Sequence, residues 1–136
     1  MERVVLDPGV LVSALITPQG SPAKLWHAVV HERLEIAVCP RLLAELAGVL
    51  ERSKFRPYVT LEEAQAFVAE VARRAHRVPD PSDVPRLSRD PEDDYLFALA
   101  GVTDSRAVVS GDLDLADLED PPVPVLTPAR AVETLL

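Results

Sequence analysis

The 136-residue chain has few of the features that define disulfide-rich or membrane-spanning proteins. Its single cysteine, Cys39, excludes a disulfide framework and a cysteine-rich zinc site. No apolar run approaches the roughly 18 residues that a membrane span requires, and the first residues do not resemble a signal peptide. We therefore expect a cytoplasmic protein without membrane contact. Only three Phe, two Tyr and one Trp are available to stack on nucleic-acid bases, so extensive base stacking is not expected.

Several catalytic motifs are also missing. The chain has no Walker loop, no G-x-G-x-x-G fingerprint and no G-x-S-x-G elbow of a serine hydrolase. His27 and His31 have the spacing of a zinc-protease helix, but Ala28 stands where that helix needs a glutamate. Gly9 likewise stands where a haloacid dehalogenase would have its second aspartate. These absences exclude several classes of enzyme.

What the chain does have is a regular alternation of two patterns. Short apolar, β-branched segments predict strands at 3–7, 35–39, 106–110 and 123–126. Amphipathic segments predict helices at 10–16, 21–33, 40–53 and 60–76, one opened by residues 90–93, and one after Thr127-Pro128. Ser21 and Thr127 are the predicted caps of their helices, and residues 60–63 resemble a capping box. Pro8-Gly9 predicts a turn, and 78–89 a loop. No linker divides the chain, so we expect one α/β domain over residues 1–136, with helices on both faces of a parallel sheet.

The net charge of −8 is unevenly distributed. Residues 1–80 contain equal numbers of basic and acidic residues, whereas residues 81–136 contain four basic and twelve acidic ones. An acidic region repels phosphate unless cations intervene. The excess is therefore either a solubilising surface or, in part, a set of metal ligands.

Five acids lie where an α/β fold gathers functional groups. Asp7 ends the first predicted strand and Asp112 follows the strand at 106–110, and in such folds strand ends meet in one crevice. Asp93 and Asp94 begin the helix before that strand, and Glu45 lies mid-helix beside small residues. Clustered carboxylates repel one another, and a cation can offset this repulsion. Oxygen-only ligands suit Mg²⁺ or Mn²⁺.

Each acid also has a simpler interpretation. Helix capping and the helix dipole favour acids at a helix start, which would explain Asp90, Glu92 and Asp93. Asp7 and Asp112 could be turn residues beside glycines. The basic residues Arg52, Lys54 and Arg56 are either a solvated helix end or contacts to the backbone of single-stranded RNA.

Five segments together resemble a PIN domain over essentially the full length of the chain. They are Asp7 after V-V-L, Glu45 in L-L-A-E-L-A-G-V-L, D-P-E-D-D-Y-L-F-A-L-A, V-V-S-G-D-L-D-L and the terminal V-L-T-P. The resemblance is closest to the VapC-like toxin components of toxin–antitoxin pairs. It implies a three-layer α/β/α sandwich with a parallel, roughly five-stranded sheet, and a Mg²⁺- or Mn²⁺-dependent endoribonuclease.

The resemblance also implies roles for individual residues. The catalytic and metal-binding acids would be Asp7, Glu45, Asp94 and Asp112, with Asp93 and Asp114 as auxiliary metal ligands. Ser110, Arg52, Lys54 and Arg56 would contact the substrate. The implied partners are RNA, an antitoxin protein and a second copy of the chain in a homodimer.

One motif departs from the family pattern. The first acid of a PIN domain is usually followed by Thr and Asn, whereas this chain has Asp7-Pro8-Gly9. The hydroxyl and amide that normally support the site are therefore absent. This departure leaves open a second hypothesis, a PIN-fold module that binds RNA or a partner without cleaving. A third is a structural domain that binds no metal.

Overall fold

The computed structural model describes residues 1–87 and 91–136, so the predicted helix cap at Asp90 lies outside the described residues. A five-stranded parallel sheet forms the centre of the protein, with the strand order β3-β2-β1-β4-β5. The strands are β1 (Arg3–Leu6), β2 (Glu35–Val38), β3 (His76–Arg77), β4 (Val108–Val109) and β5 (Val125–Leu126). The predicted α/β class and parallel sheet are thereby confirmed.

Helices connect and cover the strands. They are α1 (Pro8–Ile16), α2 (Ser21–Val30), α3 (Pro40–Leu50), α4 (Leu61–Arg74), α5 (Tyr95–Val102), α6 (Leu113–Ala116) and α7 (Pro128–Leu135), with 3-10 turns at Ser53–Phe55 and Pro91–Asp93. In the part of the chain that the structure describes, no helix combines the length and apolar character needed to cross a membrane.

The central strand β1 fixes the frame of the site. It pairs in parallel with β2 on one side and with β4 on the other, where Leu6 is level with Val109. The last three residues of β1 and of β2 and both residues of β4 are buried, because helices cover both faces of the sheet. Helix α5 lies against β1, β2 and β4, whereas α1 packs against α2 and α3. The carboxyl ends of β1 and β4 therefore open at the same edge.

The turn predicted at Pro8-Gly9 is wrong. Pro8 is already the first residue of α1, and Asp7 is its N-cap, with Oδ1 accepting a hydrogen bond of 2.9 Å from the Gly9 amide. Proline suits this position because the first helical residue needs no amide donor. Gly9 has no positive φ, so its backbone makes no demand for a turn. The first candidate acid thus belongs to a helix cap.

The edge strand β3 was not predicted. It has only two residues, His76 and Arg77, and both side chains are exposed. The strand is defined by its parallel pairing with β2, where Ala37 is level with His76. Without an apolar face it leaves no periodic pattern in the sequence. The fifth strand was expected only from the family resemblance.

Element boundaries moved by a few residues, and two caps were confirmed. The strand predicted at 106–110 contracts to β4, the helix predicted at 40–53 ends at Leu50, and α6 was not predicted. Gly20 rather than Ser21 caps α2. The capping box at the start of α4 is present, with reciprocal hydrogen bonds between Thr60 and Glu63. Thr127 caps α7 as predicted.

Candidate functional site at the carboxyl ends of the strands

One buried hydroxyl links the first and last acids of the site. Ser110 follows β4 and is completely buried. Its Oγ donates a hydrogen bond of 2.8 Å to Asp7 Oδ2 and accepts one of 3.0 Å from the Asp112 amide. The Asp7 amide also donates to the carbonyl of Val109 at 2.9 Å. Pairing of β1 with β4 therefore brings together acids that are 105 positions apart in the sequence.

Backbone amides orient both carboxylates further. Asp7 Oδ1 accepts from the Gly9 amide at 2.9 Å, and Asp112 Oδ1 accepts from the Asp114 amide at 2.8 Å. A cleft of about 290 Å³ opens beside them, lined in part by Asp7, Gly111 and Asp112. Asp114 itself is exposed and contributes its amide to the arrangement. We call Asp7, Ser110 and Asp112 the strand-end group.

Helix α3 brings a further acid close to this group. Glu45 is half-buried, and burial is the main cause that raises the pKa of its carboxyl. Tyr95 and Arg41 lower that pKa, whereas the charges of Asp7 and Glu92 raise it. Glu45 and Asp7 are therefore close enough to repel each other, as carboxylates at one site do.

The guanidinium of Arg41 lies against Glu45. Arg41 precedes Glu45 by one helical turn, and its Nε is 3.6 Å from Glu45 Oε1. Its Nη2 donates a hydrogen bond of 3.0 Å to the carbonyl of Glu92, and its Cζ is 4.3 Å from the centre of the Tyr95 ring. We call Arg41, Glu45 and Tyr95 the helix group.

The hydroxyl of Tyr95 is a buried donor in this group. Tyr95 is 1% exposed, and within residues 1–87 and 91–136 its hydroxyl has no hydrogen-bond partner. The hydroxyl lowers the pKa of the Glu45 carboxyl, although the two groups do not meet hydrogen-bond geometry. Burial first, and then the charge of Glu45, raise the pKa of the phenol. Tyr95 therefore stays protonated and can donate a hydrogen bond to a nearby oxygen atom.

The acids before α5 occupy two different places. Asp94 is 1% exposed, and its Oδ2 accepts a hydrogen bond of 2.9 Å from the Leu87 amide. Asp93 and Glu92 line a second cleft of about 430 Å³ together with Glu45 and Arg52. Asp93 thus lies on the Glu45 side, whereas Asp94 is buried at the start of α5, directly before Tyr95.

The donor set fits a hard divalent cation that keeps part of its water shell. Among the described residues, no three acidic, histidine or cysteine side chains are grouped so that they could hold a metal ion. Mg²⁺ commonly binds through one or two carboxylates and retains several waters. Asp7 and Asp112 supply two such carboxylates. Glu45 can act through a water molecule, and the hydroxyl of Tyr95 can donate to one.

The three predicted basic contacts are not equivalent. Arg52 is exposed and lines the second cleft beside Glu45. Lys54 is exposed, with its Nζ 5.1 Å from the centre of the Phe55 ring. Arg56 is half-buried and donates to the carbonyl of Leu50 at the end of α3. Arg52 is therefore the best placed of the three to meet a ligand in the second cleft.

Sequence reasoning missed two residues of the helix group. Arg41 was not singled out, although its four-residue spacing from Glu45 signals a pair on one helix face. Tyr95 was not singled out either, because nothing in the sequence around it distinguishes its hydroxyl from the apolar side chains of the same helix. Ser110 was predicted to contact substrate, and it is completely buried with its hydroxyl between two acids.

The fold agrees with the comparison with known families. The PIN domain model matches residues 3–114, which include every acid of the predicted set. The chain therefore belongs to the PIN domain family. Members of this family are generally nucleases and typically use divalent metal ions.

Individual relatives support the same fold. The chain is 28% identical over 118 residues to the uncharacterised protein MJ1680 of Methanocaldococcus jannaschii, covering 87% of this chain and 76% of that protein. It is also similar in structure to PAE2754 of Pyrobaculum aerophilum, with TM-score 0.66 and 16% identity over 99% of this chain and 89% of that one.

Two similar structures are complexes with DNA. One is VapBC2 of Rickettsia felis bound to a promoter fragment, with TM-score 0.63 and 14% identity over 92% of this chain and 98% of that one. The other is FitAB bound to the IR36 DNA fragment, with TM-score 0.59 and 17% identity over 92% of this chain and 94% of that one. At these identities the likeness establishes the shared fold.

Proposed function

We propose that the protein is a Mg²⁺- or Mn²⁺-dependent endoribonuclease that hydrolyses phosphodiester bonds in single-stranded RNA. The observation that carries this proposal is the Ser110 hydroxyl, which joins Asp7 to the Asp112 backbone at the ends of β1 and β4. A buried hydroxyl between two acids fixes them relative to each other without neutralising their charge. Such an arrangement suits the binding of a divalent cation.

Each acid has a proposed role. Asp7 and Asp112 would hold the ion directly, and Glu45 would reach it directly or through water. Asp94 completes the acidic set at the start of α5, with Asp93 and Asp114 as auxiliary ligands. When bound, the ion would supply Lewis acidity at the phosphate and lower the pKa of a water molecule.

The remaining groups act on the substrate and on the acids. Ser110 and the amides of Gly9 and Asp114 hold the carboxylates in place. Arg52, Lys54 and Arg56 are the proposed contacts to the RNA backbone, with Arg52 lying at the cleft. In-line attack of water on phosphorus would leave a 5′-phosphate and a 3′-hydroxyl.

The proposal is tested by incubating labelled single-stranded RNA with the protein in Mn²⁺ and in EDTA. We expect cleavage by the wild type in Mn²⁺ only, and none by Asp112→Asn or Asp94→Asn. Asp104→Asn is a matched control, because it removes an exposed acid at a positive φ that asparagine accepts. Cleavage by the wild type in EDTA, or undiminished cleavage by Asp112→Asn, would contradict the proposal.

The alternative is a PIN-fold module that binds RNA or a partner protein without cleaving. The observation that favours it is the open space at Gly9: among the residues that the structure describes, an added Cβ would meet Asp7 Oδ1 at 3.6 Å and no other side chain within 4 Å. Within that part of the chain, no side chain this close to Gly9 replaces the missing asparagine. RNA binding by the wild type without cleavage in Mn²⁺ would support this alternative, whereas metal-dependent cleavage would exclude it.

A toxin-type role with an antitoxin partner is part of the proposal. Its support is the likeness to VapBC2 and FitAB, whose structures hold DNA. We also propose a cytoplasmic homodimer. Light scattering of the purified chain tests the dimer, and growth arrest on expression, relieved by a neighbouring gene product, tests the toxin role. A monomer in solution would contradict the homodimer. Unchanged growth on expression of an active nuclease would contradict the toxin role.

A further inference from the structure

Arg41 is a cation held beside acidic residues by several partial contacts. Its Nε is 3.6 Å from Glu45 Oε1, and its Nη2 is 3.0 Å from the carbonyl of Glu92. The guanidinium carbon lies 4.3 Å from the centre of the Tyr95 ring. The side chain is still 40% exposed, so a ligand arriving from solvent can reach it.

The pair between Arg41 and Glu45 is suited to exchange. At 3.6 Å and with both side chains more than a third exposed, it is a weak ion pair that water screens. The Glu92 carbonyl and the Tyr95 ring hold the guanidinium in place independently of Glu45. A divalent ion that attracts Glu45 would therefore release one side of Arg41 while these two contacts remain.

The released guanidinium has the chemistry of a phosphate contact. Arginine presents planar donors that match phosphate oxygens, and it keeps its charge at any physiological pH. We propose that Arg41 is a substrate-contact residue that pairs with Glu45 in the metal-free protein and turns to an RNA phosphate when a divalent ion engages Glu45. This role rests on the proposed function, because it requires both a metal ion and RNA at the cleft.

The proposal predicts two effects of opposite sign from one substitution. Arg41→Gln removes the competitor for Glu45, so Mn²⁺ affinity without RNA should rise about two- to fivefold. The same change removes a phosphate contact, so RNA affinity in Mn²⁺ should fall about tenfold. In EDTA the arginine remains paired with Glu45, so the loss of RNA affinity should be clearly smaller. If Arg41 had a purely structural role, the substitution would lower the affinities for Mn²⁺ and for RNA together.

The experiment measures Mn²⁺ affinity by calorimetry and RNA affinity by fluorescence anisotropy, the latter with phosphorothioate RNA that resists hydrolysis. Arg73→Gln is the charge-matched control, because Arg73 is exposed on α4 and pairs there with Glu70. Arg41→Lys keeps the charge but not the planar donors, and should recover the RNA affinity only in part. Circular dichroism of each variant shows whether it is folded.

The outcomes separate this role from the proposed function. Opposite shifts for Arg41→Gln, absent from Arg73→Gln, support the exchange. An equal loss of RNA affinity in Mn²⁺ and EDTA, an unchanged variant, or a lower Mn²⁺ affinity overturns it while leaving the nuclease proposal standing. A wild-type protein that binds neither Mn²⁺ nor RNA contradicts the proposed function, and the role of Arg41 is then rejected with it.

Discussion

The strand-end group and the helix group of the candidate site are built differently. In the strand-end group, hydrogen bonds of 2.8 to 3.0 Å tie Asp7 and Asp112 to the buried Ser110 hydroxyl and to backbone amides. In the helix group, Glu45 is balanced by charges: Arg41 on one side, and Asp7 and Glu92 on the other. The first arrangement fixes its acids, whereas the second leaves its acid adjustable.

The difference has a physical basis. Paired strands in a buried sheet hold their end residues in register, so the strand-end group inherits the rigidity of β1 and β4. The geometry of the helix group depends on the packing of α3 and on the chain before α5. Water screens the ion pair in this group, so its rearrangement costs little free energy. We therefore expect substitutions in the strand-end group to affect metal binding, cleavage and stability more than substitutions in the helix group.

The largest effect is expected for Asp7→Asn. Removing a direct metal ligand should cost more than the roughly 10- to 100-fold that supporting residues usually cost. Initial rates of RNA cleavage in Mn²⁺ measure this loss, and Glu45→Gln should lose less because Glu45 lies on the adjustable side. A greater loss for Glu45→Gln than for Asp7→Asn would reverse the comparison.

Ser110→Ala should come next. The change leaves Asp7 Oδ2 and the Asp112 amide without the bonds that orient them, so Mn²⁺ affinity should fall about 10- to 100-fold. The free energy of unfolding should fall by about 1–3 kcal/mol, because a buried polar network loses its centre. Calorimetry and urea denaturation measure the two losses.

Ser82→Ala, in an exposed loop, is the matched control and should change neither quantity. If Ser110→Ala bound Mn²⁺ as the wild type does, the hydroxyl would not be what organises the acids.

Asp80→Ala should destabilise the start of α3, the helix that carries Arg41 and Glu45 of the helix group. Asp80 Oδ1 accepts a hydrogen bond of 2.8 Å from the Arg41 amide at the start of α3 and thus acts as a cap from a distant loop. Loss of a helix cap typically lowers the free energy of unfolding by about 0.5–2 kcal/mol. Urea denaturation measures the loss, and Asp83→Ala in the same loop is the control. Equal effects of the two variants would show that the cap contributes nothing.

The smallest effect concerns the pH dependence of Glu45. Because its pKa is raised on folding from the ordinary value of 4.5, the folded state holds this proton more tightly than the unfolded state does. Glu45 therefore destabilises the metal-free protein progressively as the pH rises from about 4.5 through the raised pKa. Glu45→Gln should be more stable than the wild type above this window and no more stable below it.

The difference should be less than about 1 kcal/mol, since the side chain is partly exposed and water screens it. Urea denaturation in EDTA at pH 4 and pH 7.5 measures it. A variant less stable than the wild type at the higher pH would show that pairing with Arg41 outweighs burial and repulsion.

The sequence predicts one side of the site better than the other. Asp7 and Asp112 each follow an apolar strand, and the ends of neighbouring parallel strands must meet, so their proximity could be expected. Nothing in the order of residues places Arg41 over Tyr95, because that contact depends on how the chain around α3 and α5 packs. The role of Glu45 came from family resemblance, and burial and neighbouring charges give it a physical setting.

The fold shows the same limit. Strands with apolar residues were found, whereas β3 was missed because both of its side chains are exposed and only its pairing defines it. The helix start at Pro8 was mistaken for a turn, because Pro-Gly favours turns unless an acid before it caps a helix. Local sequence patterns predict the elements that are buried, whereas tertiary contacts determine whether exposed elements such as β3 form.

The most direct test is a crystal structure determined after soaking in Mn²⁺, with anomalous scattering to locate the ion. The account predicts an ion bound at about 2.0–2.2 Å by carboxylate oxygens of Asp7 and Asp112, with Glu45 turned from Arg41 towards it. An ion bound by other residues, or a cleft that takes up no Mn²⁺ while RNA is still cleaved, would contradict it.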